Sequence, residues 1–73
     1  MPHVNLKMYA GRSEEEKKLL AAKISESIRS TLGVEDKYIT VAIEDVKDDE
    51  WADKVYKKEI TPNIEKLYKK PGY

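Results

Sequence analysis

The chain has 73 residues, with 14 basic residues set against 14 acidic ones, 40% hydrophobic positions and no cysteine. So even a balance argues against a module that binds by neutralising phosphates, and the absence of cysteine removes disulfide and thiolate chemistry. No run approaches the ~20 apolar residues of a membrane-spanning helix, nothing resembles a signal peptide, and a lone histidine, His3, is a poor basis for a transition-metal site, so a cytoplasmic protein forming a single domain over residues 1–73 is expected.

Residues 2–9 alternate, with Val4, Leu6 and Met8 on one side and His3, Asn5 and Lys7 on the other, the period of a half-buried strand. Ala10-Gly11-Arg12 reads as a loop. Ser13-Glu14-Glu15-Glu16 reads as a capping box that starts a helix with its acidic residues at the positive end of the dipole. Glu14 is placed to pair with Lys18, the apolar stripe is Leu20, Ala21, Ile24, Ile28 and Leu32, and Gly33 is a natural stop. From Tyr38 the alternation returns, with Ile39, Val41 and Ile43 against Tyr38, Thr40, Ala42 and Glu44. A strand, a long helix and a strand predict a βαβ unit with a parallel two-stranded sheet.

The turn-rich Lys47-Asp48-Asp49 follows, with either aspartate able to cap what comes next. Trp51, Val55, Tyr56, Ile60, Ile64, Leu67 and Tyr68 are spaced by one to four residues, which predicts a C-terminal helix. Pro62 lies inside this pattern, and Thr61-Pro62 reads as an N-cap with proline at the first helical position, so a break or kink is expected there. Lys69 to Tyr73 should form a short tail. Two strands are not independently stable, and chains below roughly 70–80 residues without disulfide or metal usually gain a partner. A homo-oligomer is expected, with any active site near the subunit junction because so short a chain has little room to enclose a ligand.

Pro2 is the first candidate for chemistry. A proline behind the initiator methionine becomes the mature N-terminus once that methionine is trimmed, leaving a secondary amine. A partly apolar pocket disfavours the ammonium form, and such an amine can act as a general base near neutral pH. Proline is also a common second residue with no role. Arg12 offers a planar fork of donors beside a helix N-terminus, suited to a carboxylate, although a solvated arginine flanking a cap fits the same residues. The sole tryptophan, Trp51, is either a core anchor or a pocket wall.

Pro2, the loop Gly11-Arg12-Ser13, the βαβ spacing and an aromatic at position 51 together resemble the tautomerase superfamily typified by 4-oxalocrotonate tautomerase. Glu59-Ile60-Thr61-Pro62 and the ending Lys69-Lys70-Pro71-Gly72-Tyr73 are similar to its dimeric bacterial branch called tautomerase PptA. The resemblance implies a cofactor-free keto–enol tautomerase acting on small 2-hydroxy enol acids of the enolpyruvate type. Pro2 would transfer the proton, Arg12 would bind the substrate carboxylate and stabilise the enolate oxygen, and Trp51 would keep the site dry. The prototype has a second arginine where this chain has Thr40, which favours a smaller or aromatic substrate over a dicarboxylate. By the same resemblance Tyr9 and Tyr38 would line the pocket, and either hydroxyl would replace part of the lost donor set.

The second sheet face carries His3, Asn5, Lys7, Tyr38, Thr40 and Glu44, a set costly to bury between stacked dimers as in hexameric relatives. A dimer with a four-stranded sheet is therefore expected. Two other readings compete. A hydratase or dehalogenase would need a water-activating carboxylate and more arginines, and a non-catalytic dimeric interaction module would leave Pro2 without a role.

Overall fold

The alternation near the N-terminus becomes strand β1 (His3–Tyr9), and its partner is β2 (Thr40–Val46). A computed structural model describes all 73 residues, and in it the two strands run parallel, with His3 opposite Thr40 and Tyr9 opposite Val46. This register puts Val4, Leu6 and Met8 beside Val41, Ile43 and Asp45 on one face. His3, Asn5, Lys7 and Tyr9 lie beside Thr40, Ala42, Glu44 and Val46 on the other. Parallel strands need a long crossover, which is supplied by helix α1 (Glu14–Leu32), packed on β2.

Both ends of α1 follow from its sequence. The Glu16 N–H donates to Ser13 Oγ at 3.1 Å while the Ser13 N–H donates to Glu16 Oε1 at 3.1 Å, closing the expected capping box. At the other end Gly33 adopts φ 71° and donates its N–H to the Arg29 carbonyl, a left-handed stop that a Cβ would strain. Ser13→Ala should cost about 1 kcal/mol in urea unfolding. The Glu16 carboxyl is held below its ordinary range chiefly by the Ser13 backbone N–H, with the Arg12 charge adding to it against partial desolvation. A lowered carboxyl stabilises the fold above its unfolded pKa and loses that contribution as pH falls through the folded value. Glu16→Gln should therefore flatten the acid limb of stability when urea midpoints are compared between about pH 3 and 7.

Glu14 pairs with Lys17 rather than with Lys18 as expected. The reason is Asp45, which faces α1 from β2 and takes the Lys17 ammonium at 2.7 Å. That hydrogen bond raises the Lys17 pKa above the ordinary lysine value, against desolvation, with Glu14 contributing further. Leu32 ends the predicted stripe but is exposed, since it lies at the last residue of the helix.

Tyr38 is not part of the second strand. Asp36–Tyr38 form a 3-10 turn in which the Ile39 N–H donates to the Asp36 carbonyl, so the chain is still turning when it passes Tyr38. The ladder opens with the Thr40 N–H, which donates to the Pro2 carbonyl at 3.1 Å.

Beyond β2, Asp48–Glu50 form another 3-10 turn, and neither Asp48 nor Asp49 caps the following helix with its side chain. Trp51 is already helical, with φ −58° and ψ −47°, so the turn runs on without a free helix start. The C-terminal helix α2 (Ala52–Ile60) has the wide hydrogen bonding of a π-helix, and the Thr61 N–H donates to the Tyr56 carbonyl five residues back. Spacings of five and four between Trp51, Tyr56 and Ile60 suit that wider turn. The break falls where Pro62 predicts it, with Thr61–Lys66 continuing as a 3-10 helix and Asn63 leaving helical geometry. Thr61 does not act as an N-cap, because it forms the last link of α2. Tyr68 lies past the end of this helix and is fully exposed instead of completing the apolar pattern.

Only Val46 and Val55 are buried. Val46 lies on the Tyr9 face of the sheet, and an ion pair from Lys7 to Glu59 ties α2 to that same face. The two helices therefore sit on opposite faces of the two strands.

Candidate active site

The residues of interest are held by the ends of β1. At its head, Pro2 is half-buried and its carbonyl is fixed by the Thr40 N–H. The neighbouring His3 Nδ1 lies 2.6 Å from Thr40 Oγ1, so Thr40 grips the chain on both sides of the Pro2–His3 bond. Tyr38, just before β2, lies at this end with the Lys37 ammonium 5.1 Å from its ring centre. No ring or hydroxyl contact to Pro2 is needed to hold the segment in place, since the backbone ladder does so.

At the tail of β1 the last link is the Ala10 N–H to the Val46 carbonyl, 2.9 Å. Gly11 then adopts φ 119°, a conformation open to glycine but not to ordinary side chains, and turns the chain outward to Arg12. The Arg12 side chain is 63% exposed and its one ionic contact is with Glu16 at 3.5 Å, which leaves most of the guanidinium fork available. Tyr9 and Trp51 meet edge-to-face with ring centres 5.1 Å apart. The Trp51 Nε1–H donates to the Tyr73 hydroxyl at 3.2 Å, and the Tyr56 hydroxyl donates to the Tyr73 main-chain oxygen at 2.8 Å.

The predicted residues thus fall into two groups. Pro2, Tyr38 and Thr40 occupy one end of the strands, and Tyr9, Arg12 and Trp51 the other, about 20 Å away at the usual rise per residue of β1. A groove of about 390 Å³ opens beside Arg12, between Met8, Lys17 and Leu20, and includes none of Pro2, Tyr9 and Trp51. The sequence alone gives Tyr56 and Tyr73 no role at the site. Tyr73 follows Pro71-Gly72 and reads as a tail, and the available signal was only that an aromatic residue follows a turn.

The parallel strand–helix–strand unit is the fold shared with solved 4-oxalocrotonate tautomerase homologues. The family described as Tautomerase enzyme matches residues 2–62, and the chain belongs to it. It is similar to tautomerase PptA of Pectobacterium carotovorum subsp. carotovorum, 38% identical over 74 residues that take in 100% of this chain and 97% of that one. Among solved structures, the 4-oxalocrotonate tautomerase homologue YwhB is 35% identical, with a TM-score of 0.67 over 74% of this chain and 88% of that chain. A 4-oxalocrotonate tautomerase isozyme from Methylibium petroleiphilum is 26% identical, with a TM-score of 0.66 over 68% of this chain and 81% of that chain. No helix is long and apolar enough to cross a membrane.

Proposed function

We propose that this tautomerase interconverts keto and enol forms of small 2-hydroxy enol acids of the enolpyruvate type, without a cofactor, in a site completed by a second copy of the chain. The observation that carries this reading is the separation of Pro2 from Arg12 and Trp51 along β1. Each strand has one edge paired within the chain and one left open. If two copies join antiparallel through the open edges of β1 about Leu6, Pro2 of one copy comes opposite the Ala10-Gly11-Arg12 turn of the other. The two-fold operation then generates two sites and a four-stranded sheet. The sparse core, with only Val46 and Val55 buried, supports association. The position of α2 favours a dimer, because this helix lies on the sheet face through which dimers would stack into a hexamer. Light scattering should give two subunits, and six would refute the dimer.

In this reading residues 1–73 act as one tautomerase-like domain in the cytoplasm. Met1 is 93% exposed, so the fold does not shield the Met1–Pro2 bond from processing. Once Met1 is removed, the secondary amine of Pro2 takes the enol proton and delivers a proton to carbon. Arg12 from the other copy binds the carboxylate and stabilises charge on the enolate oxygen, while Trp51 and Tyr9 form a dry wall. Tyr38 remains a candidate for lining the Pro2 end. Thr40, committed to His3 and the Pro2 carbonyl, offers no cation for a second carboxylate. The Met1-free enzyme should ketonise an aryl enolpyruvate faster than a dienol dicarboxylate, as followed by loss of enol absorbance, and an enzyme shown by mass spectrometry to retain Met1 should be inactive. The reverse substrate order would overturn the assignment of substrate class, and turnover by the Met1-retaining form would overturn the role of the amine.

A further inference from the structure

Tyr73 lies beyond the residues matched by the family, 2–62, yet it is the residue that engages the indole N–H of Trp51. An indole can donate one hydrogen bond and accept none, so a single acceptor fixes the direction in which its ring edge points. Tyr9 packs on Trp51 edge-to-face and restrains where the ring sits, whereas the Tyr73 hydroxyl restrains how it is turned. Tyr73 is itself held from α2, where the Tyr56 hydroxyl donates to its main-chain oxygen and the two rings lie 5.3 Å apart. Tyr73 is 74% exposed, so these contacts rather than burial keep it over Trp51. They form a continuous chain of contacts from α2 through Tyr73 and Trp51 to Tyr9 on β1.

We propose that Tyr73 is a positioning residue that orients Trp51 and thereby sets the preference of the site for aryl over aliphatic enol acids. This rests on the reading above in which Trp51 walls the substrate site. A turned indole presents a different surface to an aromatic ring, whereas a small aliphatic side chain of the substrate makes little use of that surface. The effect should therefore fall on aryl binding and not on proton transfer at Pro2.

Tyr73→Phe keeps the ring and the main-chain oxygen bonded by Tyr56, and removes only the hydroxyl. KM for phenyl enolpyruvate should rise about three- to tenfold, the range expected for one lost hydrogen bond, with kcat and the KM for an aliphatic enolpyruvate nearly unchanged. Trp51 is the sole tryptophan, so its emission and near-ultraviolet circular dichroism should change with the same substitution. In a Trp51→Phe background there is no indole N–H to orient, and Tyr73→Phe should add nothing to KM. An unmoved aryl-to-aliphatic KM ratio, with or without an optical change, would overturn the proposal, as would full additivity in the double variant. Unchanged KM for both the aryl and the aliphatic substrate in Trp51→Ala would instead overturn the reading of Trp51 as a wall of the site on which it rests, so the two failures are distinguishable.

Discussion

Replacing Pro2 by alanine should lower kcat/KM for an aryl enolpyruvate by about 10²- to 10⁴-fold, the contribution expected of a positioned general base. Alanine after removal of Met1 still ends in an amine, so charge alone would survive the change. What is lost is the ring, which fixes φ and holds the nitrogen lone pair in one direction relative to the strand. The fold should be unaffected, because the contact that anchors residue 2 is made by its carbonyl, which accepts the Thr40 N–H whatever the side chain. Unfolding midpoints should therefore match those of the parent enzyme while turnover collapses. Unchanged turnover with intact folding would remove Pro2 from the chemistry and leave the family membership without this catalytic residue.

The same local physics explains what was readable in advance. Strand β1, the capping box of α1, its stop at Gly33 and the break near Pro62 are each determined by neighbours in sequence, through alternation, side-chain caps, positive φ and a missing donor. Lys17 could not be read in this way. Glu14-to-Lys18 is the better spacing on an isolated helix, and only the arrival of Asp45 from a strand 28 residues later makes Lys17 the shared partner. The alternation begins at Tyr38, before the ladder does, because the chain is still in a 3-10 turn there. The return of Tyr73 to Trp51 depends on a contact across 22 residues, and no periodicity encodes it. For the candidate site, residue types were legible but their distribution was not. A sequence orders Pro2 and Arg12 along a line, whereas the extended geometry of β1 is what keeps them apart.

That separation leads to the second large expected effect. Arg12→Ala should lower kcat/KM by about 10²-fold or more, since it removes a charged, two-pronged donor from a carboxylate or an enolate oxygen. A rise confined to KM would mean that Arg12 holds ground state and transition state alike, and a fall in kcat would place it on the developing enolate charge. More telling is a mixture of the Pro2→Ala and Arg12→Ala chains, each inactive alone. If each site takes Pro2 from one copy and Arg12 from the other, a mixed dimer has one fully native site and one doubly altered site. Random exchange makes half of the dimers mixed, so co-refolding equal amounts should restore about a quarter of the parent activity under this two-fold symmetry. If Pro2 and Arg12 of the same chain served one site, no combination of the two variants would contain an intact site and the mixture would stay inactive. The seven-residue span of β1, too long for the Arg12 side chain to reach back along, favours restoration.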